Sequence, residues 1–98
     1  MELGRRRELD QLALVLADRL RDRVLIYRRI WYQLDPDTHR WIRADARALA
    51  TRTLIAMSEE LPESSWLRTH ARNVYGINQI LAVAGRALTQ EGFPGPTP

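Results

Sequence analysis

Apolar residues recur at steps of three and four along most of the chain. Leu9, Leu12, Leu16, Leu20, Val24, Tyr27, Trp31 and Leu34 fall on one stripe, the spacing of a helix with one buried face. Ile42, Ala46, Leu49, Thr53, Ala56 and Met57 repeat the pattern, as do Leu67, His70, Val74, Ile77, Leu81, Ala84 and Leu88. No period-two alternation stands out beside them. Two breaks separate the stripes. At Leu34 to Thr38, Asp35 is placed to cap a helix whose first residue is Pro36. At Glu60 to Ser65, Pro62 interrupts, and Ser64 or Ser65 is placed to accept the unpaired N–H groups of a new helix. The spacing predicts an all-α fold: three long helices over roughly 5–33, 37–60 and 65–90, in an antiparallel bundle with short loops. The first would run about 43 Å at 1.5 Å per residue. Residues 1–90 read as one helical-bundle domain, and 91–98, with three Pro and two Gly, as an extended tail in which Gly92 follows the last helix. Ala84 and Gly85 would let two helices approach closely.

At 98 residues the chain has room for one modest core and little more. Cysteine is absent, which excludes disulfides and thiolate metal sites. No apolar run reaches the roughly 18 residues of a membrane span, and the first residues lack the build of a signal peptide. A cytoplasmic protein is expected. All 15 basic residues are Arg, yet the net charge is only +3, so placement matters more than number.

Some apolar residues lie off the core stripes. On the first predicted helix Leu14, Leu25 and Tyr32 share a different face. On the second, Trp41, Ala44, Ala48 and Ile55 form a weaker stripe. Exposed apolar patches mark partner surfaces, and aromatics are favoured anchors there. Leu25, Tyr32, Trp41, Ile55 and Trp66 are therefore the candidate protein-interface residues, for further copies of the chain or subunits of a larger complex. The alternative is a covering layer supplied by the N-terminal arm or the Phe93 tail.

The arginines sort differently. On the first helix, Glu2–Arg6, Asp18–Arg21 and Arg19–Asp22 are spaced for pairing. Arg40, Arg43 and Arg47 lie opposite the core stripe of the second helix. Arg68, Arg72, Tyr75, Gln79, Arg86 and Gln90 share an acid-free outer face of the third. Arg matches phosphate oxygens with a planar fork of donors, and Tyr stacks on bases. Arg40, Arg43, Arg47, Arg68, Arg72, Tyr75, Gln79 and Arg86 are the candidate nucleic-acid-binding residues, for an RNA or single-stranded DNA backbone. Glu59, Glu60 and Glu63 form an acidic end that could meet arginines of another copy.

Catalytic chemistry is not legible. His39 and His70 are the only histidines and lie on different predicted helices, so no metal site is predicted. His70 and Asn78 read as hydrogen-bonded polar groups on the core stripe. Gly76 and Gly85 sit singly, not in a phosphate loop, and no nucleophile–base set occurs. No cofactor is implied, and a non-enzymatic protein is expected.

Size, helical pattern and the stripes carrying Arg40, Arg43, Arg47, Arg68, Arg72 and Arg86 resemble the small-subunit family of multisubunit CRISPR effector complexes, over roughly residues 5–90. That resemblance implies helical bundles assembled in several copies, supporting guide RNA and target strands on basic surfaces. Arg7-Glu8-Leu9-Asp10-Gln11-Leu12 also looks loosely like the start of the small three-helix chorismate mutases, whose site uses a Lys this chain lacks. The sequence thus predicts a self-associating subunit that tracks phosphates. A homo-oligomeric adaptor without nucleic-acid binding is the second reading, and a chorismate-mutase-like enzyme the third.

Overall fold

The first helix stops at Leu20, and a sheet begins where its stripe was expected to continue. The computed structural model of the chain describes residues 2–43 and 45–93. Helix α1 (Glu2–Leu20) leads into strands β1 (Val24–Tyr27), β2 (Ile30–Leu34) and β3 (Trp41–Ile42). Helices α2 (Ala46–Ser58), α3 (Trp66–His70) and α4 (Val74–Leu88) follow, and β4 (Thr89–Gln90) closes the order. The strands form one sheet in the order β3-β2-β1-β4. β1 pairs antiparallel with β2 and parallel with β4, and β2 pairs antiparallel with β3. The all-α three-helix bundle is therefore corrected to a mixed α/β fold.

The physical reason lies in residues 24–34. Apart from Leu25, the residues of Val24-Leu25-Ile26-Tyr27 and Ile30-Trp31-Tyr32 are β-branched or aromatic, stiff side chains that suit a pleated surface. Two residues separate the runs, the length of a tight hairpin. In a nearly unbroken apolar run, steps of two and steps of three or four are both satisfied, so period alone does not choose. The pairing register places Ile26 opposite Trp31 and Leu25 opposite Tyr32. Alternation then puts Val24, Ile26 and Trp31 on the face packed by helices, and Leu25, Tyr27, Ile30 and Tyr32 on the other.

The second segment is also shorter than its period suggested. Asp35 does act as a local cap, but of a turn: its Oδ1 accepts from the Asp37 N–H at 3.0 Å. Trp41 pairs with Leu34, and α2 begins only at Ala46. In the third segment Ser65 caps α3 as expected, accepting from the Leu67 N–H. A break at 71–73 then starts α4, where Asn73 Oδ1 accepts from the Gly76 N–H at 2.8 Å. A Cβ on Gly76 would overlap the His70 carbonyl oxygen and stand 2.6 Å from its carbon. Glycine is what lets α4 turn back so tightly on α3. The last helix ends at Leu88 and β4 follows, so Gly92 does not terminate it. Of the expected tail, residues 94–98 lie outside the described residues.

α1 buries Leu9, Ala13, Leu16, Ala17 and Leu20, the helical stripe of its true length. They pack with Ile80, Leu81, Ala84 and Leu88 of α4, with Leu49, Ala50, Leu54 and Met57 of α2, and with Val24 and Ile26 of β1. Each large aliphatic side chain so buried contributes about 1.5–3 kcal/mol. Gly85 gives the expected close approach, to the sheet rather than to a helix: a Cβ there would meet Ile26 Cδ1 at 3.1 Å.

Candidate anion-binding groove

The β1–β2 turn is Arg28-Arg29, and both residues have positive φ, 51° and 67°. That is the left-handed pair of a type I′ turn, where Asn-Gly is favoured and a larger L side chain costs about 1 kcal/mol or more. Keeping two arginines in such a conformation points to a use for them. The Arg28 guanidinium lies over the Tyr27 ring, 5.2 Å from its centroid. Arg29 reaches the other way and lines a groove of about 300 Å³ on the helix side of the sheet.

Three structural elements bring an arginine to this groove: Arg29 from the hairpin tip, Arg47 from the first turn of α2, and Arg86 from α4. Trp31 of β2 forms its floor with Ile26, Leu81 and Gly85. The Arg47 guanidinium lies 5.6 Å from the Trp31 ring centroid, and its Nη2 donates to Asn78 Oδ1 at 3.0 Å. A neutral amide and a ring orient Arg47 without cancelling its charge. The Thr89 hydroxyl donates to the Gly85 carbonyl and closes one end.

Among the described residues no carboxylate lines this groove. The ion pairs found among them lie elsewhere: Arg6–Asp10 at 3.2 Å, Arg19–Glu60 at 3.3 Å and Arg21–Asp18 at 3.3 Å. Three guanidinium groups around an aromatic floor suit oxyanions of phosphate geometry. The described lining holds no histidine, acid or thiol.

The predicted nucleic-acid residues divide. Arg47 and Arg86 meet in the groove. Arg40 and Arg43 are exposed but precede α2, so the Arg40-Arg43-Arg47 helical stripe does not exist. Arg68 is half-buried on α3, where its Nη1 donates to the Leu61 carbonyl at 3.0 Å. Arg72 is exposed in the α3–α4 turn, and Tyr75 is exposed in the first turn of α4. Gln79 faces inward, its Oε1 2.7 Å from His70 Nε2. His70 is thus a satisfied polar group as expected, while Asn78 is exposed and serves the groove.

The interface candidates are corrected more sharply. Leu25 and Tyr32 are 2% and 5% exposed. They lie on the outer sheet face, where Phe93 sets its ring edgewise against Tyr32 at 4.9 Å and Tyr27 at 5.5 Å. The covering layer from the Phe93 tail is what the fold uses. Trp41 and Ile55 are half-buried. Trp66, also half-buried, donates its Nε1–H to Glu8 Oε2 at 2.7 Å and carries Arg5 over its ring. Ala44 lies outside the described residues. Glu60, expected to meet another copy, pairs with Arg19 of its own chain.

Sequence reasoning missed Arg29, Trp31 and Asn78. The signal was present: two β-prone runs separated by two residues make a hairpin whose tip is Arg28-Arg29. A second, larger groove of about 560 Å³ runs between α1 and the α2–α3 connection, lined by Leu12, Val15, Met57, Leu61, Pro62 and Leu67. Among the described residues no helix is long and apolar enough to cross a membrane, and no cluster of three potential metal ligands occurs. No protein-family model, curated protein or solved structure compared with the chain matches it.

Proposed function

We propose that this protein is a non-enzymatic, cytoplasmic module that holds a nucleic-acid backbone in the Arg29–Arg47–Arg86 groove. The observation that carries the reading is the convergence of three arginines, from three elements, on one groove whose described lining has no acid. Phosphates on such a site displace counterions, and the resulting affinity is insensitive to base sequence and steeply dependent on salt. The resemblance to CRISPR small subunits drew on an all-helical architecture. The sheet removes that support, and the proposal rests on the groove instead.

Fluorescence anisotropy with short labelled RNA and DNA strands tests it. Arg29→Ala, Arg47→Ala and Arg86→Ala should each weaken binding to all sequences alike. Each should also flatten the log K against log salt slope by about 0.7–0.9 per lost phosphate contact. Arg21→Ala, whose guanidinium is engaged by Asp18 at 3.3 Å, should change neither. No binding at low salt, or affinity untouched by the three substitutions, overturns the reading.

A second reading, self-association through α1, is favoured by Leu14 and Val15, 52% and 46% exposed beside the larger groove. A concentration-independent monomer in sedimentation would exclude it.

A further inference from the structure

We propose that the occupant of the groove is a single strand, one base of which stacks on Tyr75. This rests on the phosphate-binding reading above and names its substrate class. Tyr75 is 73% exposed at the start of α4, whereas every other aromatic residue is buried or half-buried. At 100° per residue, Ala82 and Arg86 each lie within about 20° of Tyr75 on α4, one to either side, with Asn78 about 60° away. Asn78, Ala82 and Arg86 line the arginine groove, so the ring stands at the far end of the same stripe. From Tyr75 to Arg86 the helix rises about 16 Å, the reach of at most about five nucleotides at a stacked rise of 3.4 Å.

The ring is braced. His70 meets it at 5.9 Å between centroids and 70° between planes, an edgewise contact. His70 is itself held by Gln79 at 2.7 Å and by the Trp66 ring at 5.3 Å. A supported ring with most of its surface open is what a stacking platform requires, and every base offers a π-face to it. A duplex keeps its bases inside its own stack, so only an unpaired strand can use the ring and the arginines together. A protein partner fits less well. Val74, 76% exposed, and Tyr75 stand beside exposed Arg72, Asn73 and Asn78, without the apolar surround of a protein anchor.

The test pairs loss of the ring with loss of a base. Anisotropy titrations use an oligothymidylate, the same strand with abasic positions, and a duplex of equal length. Tyr75→Ala should weaken oligothymidylate binding by about 5- to 150-fold, the range carried by one base–aromatic stack. The salt slope should not change, because no phosphate contact is lost. Tyr75→Phe should bind as the parent does. On the abasic strand Tyr75→Ala and the parent should bind alike, since the interaction needs both partners. Tyr75→Ala binding oligothymidylate as tightly as the parent, or a duplex bound more tightly than the strand, overturns the proposal. If the arginine substitutions still flatten the slope in those cases, the phosphate reading stands without it. If the parent binds no nucleic acid, both fall.

Discussion

The Arg28-Arg29 turn is where stability and binding should separate. Both residues hold positive φ, and relieving the two positions with Arg28→Asn and Arg29→Gly should stabilise the turn by about 2 kcal/mol in all. Two losses oppose this. The exposed Arg28–Tyr27 contact contributes about 0.5 kcal/mol, and glycine adds about 0.5–1 kcal/mol of backbone freedom to the unfolded chain. The net expectation is a gain of about 0.5–1 kcal/mol, or a Tm raised by about 2–8 °C in a domain of this size. The same double variant takes Arg29 out of the groove, so the log K against log salt slope for a single strand should fall by about 0.7. Thermal unfolding followed by circular dichroism reads the first effect, and anisotropy titrations across salt concentrations read the second. A lowered Tm would refute the strain argument, and an unchanged slope would refute the Arg29 contact.

Five further substitutions have outcomes set by the packing. Gly76→Ala should destabilise by about 1–3 kcal/mol in urea titration, because the new methyl meets the His70 backbone. Gly4→Ala, with nothing within 4 Å, should instead be neutral or stabilising by up to about 1 kcal/mol. Phe93→Ala should cost about 1–3 kcal/mol through two lost edgewise contacts, and the Tyr32 face it uncovers should promote self-association, visible in sedimentation. Leu81→Ala, at 0% exposure, should cost about 2–5 kcal/mol, whereas Leu14→Ala, at 52%, should stay within about 0.5 kcal/mol.

The groove could be read only halfway from residue types. Arg47 and Arg86 were identifiable because they sit off the apolar stripe of helices whose existence the period signals correctly. Arg29 and Trp31 were not, because treating 24–34 as helix made Trp31 a core residue and hid the hairpin tip at which Arg29 stands. Arg68 was misjudged for a related reason. Its guanidinium is bound by the Leu61 carbonyl across the α2–α3 connection, a contact no pattern along the chain announces.

By itself the sequence determined the local facts: the helical stripe of α1 from Leu9 to Leu20, the Ser65 cap, a break in the chain after Leu34, and an arginine excess without lysine. These depend on residues a few positions apart, where propensity and period act directly. Tertiary structure decided the rest. Residues 24–34 satisfy both periods, and the choice of strand is made by the helices that cover Val24 and Ile26 on one face and by Phe93 on the other. β4 is two residues long and pairs in parallel with a strand more than sixty positions earlier, so its existence follows from α4 delivering it there. The groove has the same origin: Arg29, Arg47 and Arg86 lie far apart along the chain, and only the closing of α2 and α4 over the sheet brings their charges together.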